Sequence, residues 1–261
     1  MKSRTSLFLI ISLIIIIALL VYFEVNKFLI GLGVIILIIL IIQYFSKDSS
    51  TLTNLNKANK TITISASDLK AKKHSTNYSY SIWFYVNDWE KNLGQIKTLL
   101  SRSQSSSSSK DGRIYSPEIT FGAYENDINI KISTFGPPGG PSDSSHTCSI
   151  RNFPLQTWVN LILSVNGRTA DLYLDGKLVR TCLLPNVPKT INQADVKITP
   201  HGGFAGFTSN IKYWNSALNP QEAYNIYKKG LGGSGFSNFF DKYKLKFSYL
   251  VNNEEQGSIE I

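Results

Sequence analysis

The sequence predicts a mainly β protein: an antiparallel sandwich with one short α-helix, preceded by two transmembrane helices. Three observations carry this. Two charge-free apolar runs fill most of the first 46 residues. Beyond them, short segments alternate apolar and polar side chains, the period-two signature of half-buried strands. A single segment, Leu218–Gly230, carries both helix start and helix stop signals.

The apolar runs come first in the chain. Residues 6–23 read SLFLIISLIIIIALLVYF and residues 28–45 read FLIGLGVIILIILIIQYF. As helices each spans about 27 Å at ~1.5 Å per residue, close to the ~30 Å hydrocarbon core of a bilayer. Soluble helices keep a polar face and these keep none. Only Glu24–Lys27 separates the runs, so the expected structure of residues 1–46 is a transmembrane helical hairpin. The first run follows Lys2 and Arg4 as a signal peptide would. It is longer than a usual signal core and lacks a small-residue cleavage pattern, so it reads as a retained anchor. Lys2 and Arg4 precede the pair, Lys47, Lys57 and Lys60 follow it, and the loop between is neutral. The positive-inside rule then puts the C-terminal region on the cytoplasmic side.

Net charge is +9. The basic residues are scattered, apart from Lys70–Lys73 and Lys242–Lys246, and no nucleic-acid-binding motif is present. Nucleic acid is not an expected partner. Attraction to anionic headgroups or to an acidic protein is compatible with the charge.

Residues 47–64 are polar and read as a linker, with a short strand at most at their end; the globular region is expected over 65–261. In YSYSIWFYV, Tyr78, Tyr80, Ile82, Phe84 and Val86 share one face, and Ser79, Ser81, Trp83 and Tyr85 the other. Strands are also expected over 94–101, 117–124, 127–134, 158–166, 194–200 and 209–215. Asn166-Gly167 and Asp175-Gly176 are two-residue hairpin signals. They make VNGRTADLYLDGKLVRTC the centre of a three-strand meander, with Leu172 and Leu174 inward. Asn219 is the expected helix N-cap, with Pro220 at the first helical position, Glu222 closing a capping box and Gly230 ending the helix. Two strands around Asn252-Asn253 close the chain. The Ser-rich 101–112 and the Pro/Gly-rich 135–145 read as loops.

The order of these features resembles the concanavalin A-like, laminin-G-like jelly-roll modules. The matching pieces are Tyr78–Trp89, the Leu172–Gly176 hairpin, Gly203–Gly206 leading into Ile211–Trp214, and Ala217–Tyr227, within about residues 75–230. The segment from Pro154 to Pro185 also resembles jelly-roll proteins of large cytoplasmic DNA viruses. The first resemblance implies a non-enzymatic module that binds protein or glycan. The second implies a minor structural protein between an internal membrane and capsid proteins. A glycoside hydrolase is the least favoured reading.

Candidate site residues follow. Trp83, Tyr85, Trp89 and Trp214 are the aromatics that could stack on a sugar. Retaining hydrolases need two carboxylates about 5 Å apart. Glu125 and Asp127 occur, but Asn129 and Ile130 stand where the family pattern has its second glutamate, and none of His74, His146 and His201 lies in a catalytic or zinc motif. No catalytic residue is therefore assigned. Laminin-G-like modules often hold calcium through Asp side chains. Asp127 and Asp175, with Asp143 and Asp195 further candidates, could supply such a site, though no dense acidic loop is present. No other cofactor is expected. Cys148 and Cys182 are the two cysteines. They can pair if their strands are neighbours, or remain two free thiols in a reducing compartment. Asn59 and Asn77 fit the glycosylation pattern only for a luminal domain.

Overall fold

The computed structural model describes residues 33, 34, 37, 49–69, 76–107, 109, 111–136, 143–231, 246–251 and 254–260. The chain divides into two compact units, Met1–Asp48 and Ser49–Ile261. In the first, residues 33, 34 and 37 are helical. The rest of the two apolar runs lies outside the described residues. Among the described residues no helix is long and apolar enough to cross a membrane.

The second unit is built on two antiparallel sheets. One holds β1 (Ser49–Thr53), β2 (Asn56–Lys57), β4 (Tyr78–Asp88), β9 (Trp158–Asn166), β10 (Thr169–Leu174), β11 (Lys177–Leu183) and β13 (Ala205–Trp214). Its order is β1-β13-β4-β9-β10-β11, with β2 also on β13. The other runs β3-β12-β5-β6-β7-β8, from β3 (Ile62–Ile64), β12 (Val196–Ile198), β5 (Lys97–Ser105), β6 (Arg113–Phe121), β7 (Ile128–Phe135) and β8 (Asp143–Ile150). A separate ladder pairs β14 (Lys246–Val251) with β15 (Glu254–Glu260), the two terminal strands read from the sequence.

Between the two main sheets lies the core that period two assigned. Tyr80, Ile82, Phe84, Val159, Leu161, Leu163 and Val165 are fully buried or nearly so. They share one core with Leu99, Ile119, Phe121, Ile128, Ile130 and Ile132. Phe121 sits at its aromatic centre, with Phe84, Phe153 and Phe204 at 5.1, 4.8 and 5.0 Å.

Residues 49–64, expected to belong to a linker, instead carry strands of the two sheets. Within them β1 and β2 pair with β13, and β3 pairs with β12. Ala58 and Ile64 are buried in the core and Leu52 packs against it. The segment looks polar because these are edge strands, whose outward positions are free to be polar. Both expected loops are shorter than read: the Ser-rich one begins later, since β5 continues to Ser105, and the Pro/Gly-rich one ends earlier, since β8 starts at Asp143.

The meander forms as read, with different turn chemistry at its two ends. Asn166 pairs with Thr169, so the loop residues are Gly167 and Arg168, and only Gly167 has positive φ, at 55°. That is the arrangement of a turn with glycine in the first central position. At the second turn both Asp175 (49°) and Gly176 (75°) are left-handed.

The helix α1 (Pro220–Lys228) is capped as expected. The Glu222 N–H donates to Asn219 Oδ1 at 2.8 Å, and the Asn219 N–H to Glu222 Oε2 at 2.9 Å. It covers part of the outer face of the seven-stranded sheet, where Ile162, Tyr173, Trp214, Leu218 and Ala223 make a second apolar cluster. Small residues let the connection into α1 approach. Ser79 Oγ donates to Ser216 O at 2.8 Å, and the Leu218 N–H donates to Ser164 Oγ at 2.8 Å.

At one edge the two sheets are joined. Cys148 on β8 and Cys182 on β11 form a disulfide with their Cα atoms 6.3 Å apart. Both strands are terminal in their sheets, so the bond ties the sandwich shut along that side.

Candidate functional site

Helix α1 decides which of the candidate aromatics are reachable. Trp83 and Trp214 are 6% and 5% exposed. Trp83 stacks on Tyr227 of α1, and Trp214 lies in the cluster under it. An indole already covered on its outer face cannot stack on a sugar, so both are packing residues. Trp89 is half-buried. Its Nε1–H donates to Tyr124 O at 3.0 Å and its ring contacts Phe153 at 5.8 Å, closing one end of the core.

Tyr85 is different. It lies beyond the reach of α1, on the same outer face. Across β4 and β9 it is opposite Trp158, and across β4 and β13 it is opposite Phe207. Directly opposed residues project to the same side of a sheet. The three rings therefore form a row, with centroids 5.7 Å (Tyr85–Trp158) and 6.5 Å (Tyr85–Phe207) apart. Tyr85 and Trp158 are half-buried and Phe207 is exposed. Lys57 on β2 extends the row past Phe207.

The row crosses the strands close to their ends, where Trp158 opens β9 and Asp88 closes β4. A groove of about 340 Å³ opens there between the β4–β5 and β8–β9 connections, lined by Asn87, Asp88, Trp89, Glu90, Leu155 and Gln156 among others. Cross-links fix this rim of loops. Asn126 Nδ2 donates to Phe153 O at 2.6 Å, and the Gln156 N–H donates to Val86 O at 2.9 Å. Asn92, Asn152 and Gln156 all have positive φ, at 61°, 56° and 56°. Such backbone costs energy for a residue with a side chain and concentrates where a structure holds a binding surface in shape.

The other candidates do not converge. Glu125 is exposed. Asp127 Oδ1 accepts from the Asn152 N–H at 3.0 Å, Asp175 Oδ1 from the Asn160 N–H at 2.9 Å, and Asp195 Oδ1 from the Ala66 N–H at 2.9 Å. These acids hold three separate turns or strand ends. Among the described residues the one grouping of three or more His, Cys, Asp or Glu ligands is His146, Cys148 and Cys182. The outer face of the six-stranded sheet carries a carboxylate that the sequence did not single out. Glu118 is half-buried, and burial pushes its carboxyl above the usual range, against the pull of Lys131. Lys131 pairs with Asp111 at 2.8 Å and caps the Tyr115 ring at 4.5 Å, so that face offers charge rather than an open ring. A larger hollow of about 860 Å³ lies at the opposite end, around Leu69, Phe135 and Ile191. Lys189 covers its one ring, Phe135, at 4.9 Å.

The family model Laminin_G_3, described as the concanavalin A-like lectin/glucanases superfamily, matches residues 56–223. The chain belongs to this superfamily. Solved structures share the concanavalin A-like fold at very low identity. The binding domain of botulinum neurotoxin serotype D is 9% identical, with a TM-score of 0.51 over 69% of this chain and 46% of that one. The receptor-binding domain of the C/D mosaic neurotoxin is 10% identical, also at 0.51, over 69% and 44%. The chain thus spans less than half the length of these structures, and the likeness is one of fold. Among curated proteins none matches significantly. Within the concanavalin A-like frame, Trp158 and Phe207 are the site residues that sequence reasoning passed over. Trp158 had a signal: Val159, Leu161 and Leu163 point inward, so Trp158 points out.

Proposed function

We propose that this chain is a non-enzymatic carbohydrate-binding module, carried at a membrane by its N-terminal apolar runs. The observation that supports it is the Phe207–Tyr85–Trp158 row. Aromatic faces give a sugar ring its apolar contact, and a polar margin orients it. Here Asn87, Asp88 and Gln156 supply amide and carboxylate partners beside the row, on a rim already held in shape. Binding to a preformed site saves the ordering cost that mobile loops would add.

A glycan array probed with the full chain in detergent tests this. Trp158→Ala and Tyr85→Ala should each abolish the signal, and Phe207→Ala should weaken it. Tyr224→Ser, on the exposed side of α1, should leave it intact. A blank array, or binding indifferent to Trp158→Ala and Tyr85→Ala, would sink the proposal.

A further inference from the structure

The disulfide has a third partner. Cys148, Cys182 and His146 bring two sulfurs and an imidazole nitrogen within 4.8 Å of one another. His146 and Cys148 are two residues apart on β8, so they share the face that looks into the sandwich. That position usually carries an apolar side chain, as Ile132 does directly opposite His146 on β7. His146 is half-buried, so the cluster reaches the surface, whereas the two cysteines are 1% and 6% exposed. Among the described residues the His146 side chain has no hydrogen-bond or ionic partner.

We infer that the reduced form of this chain binds a zinc ion through Cys148, Cys182 and His146. Two thiolates and an imidazole are a zinc ligand set, and a three-ligand site leaves the fourth tetrahedral position to water. The geometry suits the ion. Sulfurs each about 2.3 Å from a tetrahedral zinc lie roughly 3.8 Å apart, and ring nitrogens bind at about 2.0 Å. The three ligand atoms lie within 4.8 Å of one another, so side-chain adjustments on the order of an ångström bring them to these distances. The chemistry balances in two steps. A dithiol reductant supplies two electrons and two protons, the S–S bond breaks, and the reductant leaves as its own disulfide. Zinc then displaces the two thiol protons to solvent and accepts the neutral imidazole. Since Cys148 and Cys182 lie on the terminal strands of opposite sheets, the metal would replace the covalent tie with a coordinate one. The sandwich edge would then be held under either redox condition, and the proposal is independent of the carbohydrate reading.

The experiment uses the full chain in detergent, fully reduced with a phosphine and freed of metal, then titrated with Zn²⁺ and with Co²⁺. The reduced chain should take one Zn²⁺ more than the Cys148→Ser/Cys182→Ser variant. With Co²⁺ it should show a thiolate-to-metal charge-transfer band in the near ultraviolet. The oxidised chain should show neither. His146→Ala should weaken binding at least about tenfold, the loss typical even of an outer-shell partner. If reduction unfolds the chain, Zn²⁺ should restore its β-sheet circular dichroism. Equal zinc uptake by the reduced chain and the double-serine variant would overturn the inference, as would unchanged affinity in His146→Ala.

Discussion

Trp83 and Tyr227 stack face to face, with ring centroids 5.7 Å apart and planes 17° from parallel. The first is on β4 and the second near the end of α1, so this contact seats the helix on the sheet. Gly176 makes room for it, because a Cβ there would lie 3.0 Å from Tyr227 Cβ. Tyr227→Ala should remove the stack, worth about 0.5–1.5 kcal/mol beyond area burial, together with the area itself. The expected loss is about 2 kcal/mol, or roughly 4–8 °C in Tm for a domain of this size. Tryptophan emission should also shift to the red as Trp83 meets water. An unchanged Tm and spectrum would mean that α1 is held by its apolar cluster alone.

Gly206 sits where β13 passes Tyr85. A Cβ at this position would overlap Tyr85 O and lie 3.0 Å from Phe204 Cε2. Backbone cannot yield as a flexible side chain can, so Gly206→Ala should force β13 away from β4. The expected cost is about 1–3 kcal/mol, the range for overpacking. Because Tyr85 is the middle ring of the row, carbohydrate binding should fall with it. Gly167→Ala is the matched comparison. There the space is open but φ is +55°, so a strain of about 1–2 kcal/mol is expected with binding intact. Chemical denaturation of both variants, with binding measured on each, separates the two causes.

How much of this was legible depended on how local the determining interaction is. The Asp175-Gly176 turn and the Asn219–Glu222 capping box are decided within four residues, and both are as the sequence implied. The inward face of β4 needed only period two. The cover over its outward face did not follow from period two, and so Trp83 and Trp214 looked available when α1 buries them. The row itself joins residues 85, 158 and 207, whose adjacency is set by sheet order. Phe207 was further disguised. Pairing between β13 and β4 shifts register between Ser209 and Lys212, and Asn210 there has a φ of 45°. The irregularity inverts the alternation, so counting back from the buried Ile211 and Tyr213 assigns Phe207 to the wrong face.

Cys148 and Cys182 bracket much of the meander, with a sequence separation of 34. Closing a loop of that length is worth roughly 3–4 kcal/mol through the unfolded chain. Intact mass after alkylation without reductant should show no adduct. After reduction in the presence of a strong chelator it should show two, with Tm lowered by roughly 6–16 °C. Two adducts on the unreduced chain would show that the thiols are free.

Lys97 gives a pH-dependent prediction. It is 1% exposed, and its Nζ lies 4.3 Å from the centroid of the Trp89 ring. Among the described residues that nitrogen has no hydrogen-bond partner. A desolvated cation–π contact returns about 2 kcal/mol, less than burial of an unpaired ammonium takes away. Burial accordingly lowers the Lys97 pKa below its ordinary value of 10.5. For a base whose folded pKa is depressed, the unfolded chain binds more protons between the two values, so stability rises with pH across that window. Below the folded pKa the full penalty applies; near 10.5 and above it is gone. Lys97→Met keeps the length and the apolar packing but removes the charge. It should melt higher than the natural chain at pH 7, with the difference shrinking as pH approaches 10.5. Thermal melts of both proteins from pH 7 to 10.5 measure this. A methionine variant that melts lower by a constant amount at every pH would mean that the contact with Trp89 outweighs the desolvation of Lys97.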